Sequence, residues 1–506
     1  MSVSKEREEQ LLAGRTIPQV KSLELISDDF YKLENGCRIL LCGGSDPEEL
    51  EKAEDILRQE ALRFWNCVPV FERSAAPAER NEKTVAEEAY VLELTSERLR
   101  IEASGVSGFR NALRTCRQLS ESSRGVEKTT HFILPCVKVE DSPALHFRGV
   151  HLCWFPETPV WEIEKQLRLA AYYKFNYVVL ESWGVLELES HPEFCWSEYR
   201  VPRGEIRRLL SLAKDLGVTL VPQVNIFGHA TASRSGTGKH VLLDFHPEFA
   251  PFFEPDGWTW CLSNPATRTF LRDIVLEIHE LFGSPEYFHI GCDEAYNAGS
   301  CALCRRGNYA ETFKEHLIYF RDLFAERGTR IMMWHDMLLL REDERWNGYI
   351  VCGHRENGLE SLYRELPKDI VICDWQYGCP KGEDGSEPLW PTSRFFKENG
   401  FDVLVCPFLD SEGTRSLGRF ASTENLHGML ATTWHCNRSG HMFNIFYSAS
   451  NASWNPFREE YPGLYPMEFF NRHVREVGLD MGISEYAETG SIRHQVNPLP
   501  YQGQGW

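Results

Sequence analysis

The chain has 506 residues, 42% of them hydrophobic and 25% charged, which is ordinary for a folded protein with a large core and room for more than one domain. Its formal net charge of −20 excludes the basic footprint that a nucleic-acid or anionic-membrane partner requires, and favours a neutral or polar substrate. No run approaches the roughly 18 apolar residues of a membrane span, and the opening MSVSKEREEQLLAG has no signal-peptide core, so a cytoplasmic location is expected. Sixteen cysteines, several inside apolar runs such as Ile39-Leu40-Leu41-Cys42, fit thiols packed as small hydrophobes in a reducing compartment.

Residues 1–142 mix strands and helices on a small scale. CRILLCGG reads as a strand, PEELEKAEDILRQEALRFW as an acid-started amphipathic helix, EAYVLEL and ERLRIEAS as an antiparallel pair, and SGFRNALRTCRQLSE as a second helix. This predicts an α+β accessory domain without a catalytic cluster.

From residue 143 to about 485 short apolar strands alternate with amphipathic helices. The strand candidates are FRGVHLC, NYVVLE, VTLVPQV, YFHIGC, TRIMMW, DIVICDW, DVLVCPF and GMLATTW, and stretches such as VWEIEKQLRLAAYYK and RGEIRRLLSLAKDLG fill the gaps. Eight strands with helical crossovers predict an α/β fold, a (β/α)8 TIM barrel; no Gly-rich dinucleotide fingerprint follows any strand to favour an open doubly wound sheet. Residues 486–506 read as an irregular tail that packs on the barrel or on a second copy of the chain in a homodimer.

The working face of such a barrel is the C-terminal end of its strands. Reading those ends gives His151, Glu181 with Trp183, Asn225 and His229, Asp293 with Glu294, Trp334 with Asp336, Trp375 with Tyr377, Asp410, and Trp434. The centre of the list is HIGCDEAYN. Neighbouring carboxylates on a regular strand point to opposite faces, so Asp293 and Glu294 share a pocket only if the strand breaks, which Gly291 permits. Two acids in one cleft can divide labour as proton donor and ionised partner. Tryptophans around them suit the apolar faces of a pyranose.

These stretches resemble the family 20 glycoside hydrolases, the β-N-acetylhexosaminidases, and within them the hexosaminidase D-like branch. HIGCDEAYN carries the resemblance, supported by RGVHL, PQVNIFGH, CLSNP, MMWHDML and DWQYG over about residues 145–440, and the N-terminal unit is similar to the small domain that precedes many such barrels. The resemblance implies a retaining exo-hydrolase that removes a terminal β-linked N-acetylhexosamine, the sugar's own acetamido oxygen forming an oxazolinium ion, with no cofactor and no metal. Glu294 would be the general acid and Asp293 would orient the acetamido group. Arg148 would grip the distal hydroxyls, and His229 would stand beside the catalytic pair with Glu181 behind it. Trp334, Trp375 and Trp434 would wall the sugar, Asp336 would line the same pocket, and Tyr377 would hold the acetamido oxygen.

The chain departs from the family pattern at several positions. Gln223 and Asn225 stand where acids are common, Phe408 precedes Leu409-Asp410 where a tyrosine is common, and His435-Cys436-Asn437-Arg438 lacks the glutamate that often reads the 4-hydroxyl. The choice between GlcNAc and GalNAc therefore stays open, with the branch leaning to GalNAc. Cys301 and Cys304 form a C-x-x-C near Cys292, but no second pair completes a zinc set, and plain packing is the expectation. A metal-dependent hydrolase using His151, His229, His289 and Asp293, and a sugar-binding barrel without turnover, are the competing readings.

Overall fold

The eight apolar runs form eight parallel strands hydrogen-bonded into a closed barrel: Phe147–Trp154, Tyr177–Ser182, Thr219–Gln223, Tyr287–His289, Arg330–Trp334, Val371–Trp375, Asp402–Cys406 and Gly428–Thr432. The computed structural model describes residues 4–43, 47–74, 87–124, 130–231, 242–382, 385–434, 436, 442–461 and 464–482. The tail at 486–506, with His435, Asn437 and Arg438, lies outside them. Helices Val160–Tyr172, Arg203–Leu216, Pro265–Leu281 and Tyr309–Ala325 follow the first four strands, and Pro391–Glu398 and Ser411–Thr423 follow the sixth and seventh. Their stops are local. Gly217 ends one helix in the left-handed conformation at φ 70°, and Asp410 caps another by accepting from the Glu412 and Gly413 N–H groups.

Alternation along the strands sorts the barrel interior into layers. At the N-terminal end Phe147 stacks flat on Tyr177 with centroids 4.1 Å apart, and Tyr287 closes edge-on against both. Nearer the C-terminal end a polar layer holds His151, Glu181, Gln223, His289 and Trp334, all buried. The polar character of this layer marks the end of the barrel where chemistry can sit.

Internal contacts divide the chain into two units. The second holds Phe147–Ala170 and Phe175–Ala449, and the first holds the residues up to His146 with Ala171–Lys174 and the segment from Ser450. The segment 450–482, expected within the barrel domain, groups instead with the first unit. Within the first unit the reason is a buried polar knot: Lys174 Nζ donates to Tyr90 Oη at 2.9 Å and lies 3.0 Å from Asp141 Oδ2, and Trp454 Nε1 donates to Asp141 Oδ1 at 2.8 Å. The unit's sheet runs in the order Ser22–Leu33, Thr130–Asp141, Tyr90–Leu94, Leu99–Ala103, Arg38–Gly43, Val70–Ser74. Helices Pro47–Trp65 and Val106–Leu119 bury Leu57, Ala61, Phe109 and Leu113 in the same core. Among the described residues no helix is long and apolar enough to cross a membrane.

Candidate active site

The fourth barrel strand is three residues long, and the segment after it builds the site. Gly291, Cys292 and Glu294 take positive φ values of 68°, 81° and 49°, so the chain leaves the strand in a tight coil instead of continuing its alternation. Glycine is required at Gly291, where a Cβ would collide with the Asn225 side chain, and at Gly228, where it would collide with the Asp293 carbonyl oxygen. The backbone N–H of Glu294 donates to Asp336 Oδ2 at 3.0 Å, and Trp375 Nε1 donates to Asp336 Oδ1 at 3.2 Å. Asp336, with no exposed surface, thus fixes the Glu294 backbone and one indole at once. Burial first, and the nearby Asp293 second, push its carboxyl up to about 6.

The two carboxylates converge on one nitrogen. His229 Nε2 lies 3.3 Å from Asp293 Oδ2 and 3.2 Å from Glu294 Oε2. Burial alone would lower the imidazole pKa, but the two acids outweigh it and hold His229 well above its ordinary value. Burial likewise raises Asp293, with His229 opposing. Asp293 Oδ1 is buried without a hydrogen-bond partner among the described residues, an acceptor for a ligand.

Two residues missed in the sequence complete this centre. Tyr296 Oη donates to Glu294 Oε1 at 2.6 Å, and Trp258 Nε1 donates to the Glu294 carbonyl oxygen at 2.7 Å while its ring packs 4.4 Å from that of His229. Trp258 sits in a turn between Phe253 and Trp260, which form a β-bridge. The Asp256-Gly257 step ahead of it was a readable turn signal, but the turn ends no strand. Tyr296 carries no signal beyond its nearness to the acids.

Other expected residues fall differently. Glu181 does not back His229. Its Oε2 lies 3.2 Å from His151 Nε2 and accepts from Cys153 Sγ at 3.2 Å, while Oε1 accepts from Asn225 Nδ2 at 2.7 Å. The register of the first two strands, with Cys153 opposite Glu181, dictates these partners. Burial would raise the Glu181 carboxyl, but His151 and the hydrogen bonds bring it to about 2. Arg148 is not brought to the site. Phe147, His151 and Cys153 face the barrel interior, so alternation turns Arg148 outward, about 10 Å short of His151 along the strand; there it is 1% exposed. Trp334 has no exposed surface. It packs against Trp434 at 5.5 Å, His151 at 5.7 Å and His289 at 4.3 Å, and so backs the site rather than walling it. Trp434 stays partly exposed, and Tyr377 lies half-buried between Trp375 and Phe408, each at 5.2 Å.

Among the described residues, two groups can bring three or more ligand atoms to one ion. One is His151, Cys153 and Glu181, and the other is Glu254, Cys261, Cys301 and Cys304. Neither contains Asp293, Glu294, His229 or His289, so the ligand set of the metal-hydrolase reading does not assemble.

Fold and site together define a (β/α)8 barrel with a histidine-bridged acid pair at its C-terminal rim. The description of the family 20 glycosyl hydrolase catalytic domain matches residues 189–378, and that of family 20 domain 2 matches residues 13–142. The chain belongs to glycosyl hydrolase family 20. The beta-hexosaminidase of Vibrio furnissii is 25% identical over 357 residues, which are 63% of this chain and 56% of that protein. Hexosaminidase D of Bos taurus is 22% identical over 258 residues, 46% of this chain and 66% of its own. The family 20 exo β-N-acetylglucosaminidase of Vibrio harveyi shares the fold with a TM-score of 0.66 at 17% identity, over 95% of this chain and 78% of that one. The chain spans little more than half the length of the Vibrio furnissii relative.

Proposed function

We propose that the protein is a retaining exo-β-N-acetylhexosaminidase that removes a terminal β-linked GlcNAc or GalNAc by substrate-assisted catalysis. Beyond family membership, the observation that carries this reading is the state of Asp293: one carboxylate oxygen against His229, the other buried and, among the described residues, unpartnered. An acetamido N–H supplies the missing donor. Bound there, the acetamido group turns its carbonyl oxygen toward the anomeric carbon, and the Asp293 charge stabilises the positive charge that builds on nitrogen as the oxazolinium ring closes. Charge developing beside a buried carboxylate is stabilised more than it would be in water.

Glu294 protonates the departing glycosidic oxygen, then takes the proton of the water that opens the ring. Its backbone is held by Asp336 and Trp258, and its side chain by Tyr296, so the acid is presented in one rotamer. Trp375 and Trp434 flank the sugar, with Trp334 behind them, and Tyr377 offers its hydroxyl to the acetamido oxygen. A cytoplasmic location belongs to the same reading. None of the sixteen cysteines is in a disulfide, and all but Cys301 and Cys379 are buried.

The test compares 4-nitrophenyl β-glycosides of GlcNAc, GalNAc and glucose. The glucoside lacks the internal nucleophile, so its turnover should fall by a factor on the order of 10³ or more. Comparable turnover of the glucoside contradicts the substrate-assisted route, and binding of the amino sugars without any turnover replaces the enzyme with a sugar-binding barrel.

A further inference from the structure

We propose that Glu254, Cys261, Cys301 and Cys304 form a structural zinc site that fastens the Trp258 turn to the loop carrying the acid pair. Cys261 Sγ lies 3.5 Å from Cys301 Sγ and 3.7 Å from Cys304 Sγ, and the ligand atoms of all four residues lie within 4.8 Å of one another. A disulfide would bring two sulfurs to about 2.05 Å. Tetrahedral zinc, with Zn–S bonds of about 2.3 Å, spaces its sulfurs by about 3.8 Å, close to the distances of Cys261 Sγ from the other two sulfurs.

The surroundings fit thiolates and a bound cation. The Cys304 N–H donates to Cys301 Sγ at 3.3 Å, and the Arg305 N–H closes the C-x-x-C turn on the Cys301 carbonyl at 3.1 Å. The first of these donors stabilises the Cys301 sulfur in its charged form. Glu254 is 1% exposed, yet among the described residues the partners of its carboxylate are the Gly299 and Cys301 N–H groups and the Ser300 hydroxyl, at 3.3, 2.5 and 3.1 Å, rather than a lysine or arginine. A buried carboxylate beside three thiols needs positive charge to offset its desolvation, and a dication provides it. Those donors leave a lone pair for the metal while orienting the carboxylate, the arrangement that outer-shell groups give to metal ligands. Three sulfurs and one oxygen with no open position define a closed site of the structural zinc type.

The sequence showed only Cys301 and Cys304, because the other two ligands lie on a separate turn. Glu254 and Cys261 bracket that turn, where the Glu254 N–H donates to the Thr259 carbonyl at 2.8 Å and the Ala230 N–H to that of Trp258 at 2.9 Å. Cys301 ends the loop that starts at Asp293. In place of plain packing, the metal ties the turn whose indole holds the Glu294 carbonyl to the loop that carries Glu294 itself.

The experiment needs no catalytic readout. Full-length protein, purified without a metal column, is assayed by elemental analysis, and the zinc-stripped chain is titrated with cobalt(II). About one zinc per chain is expected, falling at least about fivefold in Cys261→Ser and in Cys304→Ser but not in Cys379→Ser, whose thiol lies outside the cluster. Cobalt should give the intense visible absorption of a tetrahedral thiolate complex in the wild-type chain, which decides the question even if the variants fold poorly. Less than about a tenth of a zinc with no cobalt spectrum, iron in place of zinc, or a mapped disulfide among the three cysteines would overturn the assignment.

Discussion

The indole N–H of Trp258 donates to the backbone carbonyl oxygen of Glu294 at 2.7 Å, from a turn that lies thirty-six residues earlier in the chain. On the other side Asp336 accepts from the Glu294 N–H, so the peptide units flanking the acid's Cα are both held. A residue at φ 49° needs such restraint, because a non-glycine side chain pays for that conformation. Trp258→Phe keeps the ring against His229 and removes only the donor. One hydrogen bond to the acid's backbone is worth about 1 kcal/mol, so kcat should fall roughly fivefold to tenfold with a smaller change in KM. A change confined to KM would place Trp258 in sugar binding instead.

His229 bridges both acids, which sets a pH signature. Its folded pKa lies above the ordinary histidine value, so the stability it contributes is fully present below about pH 6.5 and is lost as pH rises through the folded value. Urea unfolding of wild type and His229→Gln across pH should show the largest gap at acid pH, closing toward alkaline pH. A gap that widens with pH would contradict the bridge.

Asp336 has the same sign for a different reason. Burial raises its carboxyl from an ordinary value near 4 to about 6, so the native state holds a proton that the unfolded chain releases. Stability should therefore decline as pH climbs from about 4 through about 6, by on the order of 3 kcal/mol. Asp336→Asn, which cannot ionise, should flatten that part of the curve; an unchanged slope would assign it to other groups.

Glu181 separates positioning of His151 from positioning of His229. Its carboxyl is depressed to about 2, so its contribution is present above the ordinary glutamate value and lost only as pH falls through the folded one. Glu181→Gln should cost about 3 kcal/mol of stability at neutral pH while kcat stays within a few-fold of wild type. Loss of turnover without loss of stability would restore Glu181 to the place behind His229 that the sequence suggested.

Periodicity made the barrel legible, since all eight strand runs were apolar, short and spaced by amphipathic helices. The acid pair was legible too, because Gly291 announced a break where two adjacent carboxylates could turn to one side. Partners were harder to read. Strand register paired Glu181 with His151, and strand alternation turned Arg148 away, and neither is visible without knowing which residue of each strand faces inward. Trp258, Glu254 and Cys261 lie on one excursion after the third strand. A search restricted to strand ends passes over all three.

The proposed activity depends above all on Glu294 as the proton donor, and the most direct measurement is turnover of 4-nitrophenyl β-GlcNAc and β-GalNAc by wild type and Glu294→Gln. Glutamine keeps the shape and the Tyr296 contact but carries no transferable acid proton. Wild type should turn over both sugars, and the variant should lose a factor of about 10² to 10⁴ in kcat while remaining folded and binding the sugar. A Glu294→Gln enzyme that retains wild-type turnover would contradict the role of Glu294 as the acid.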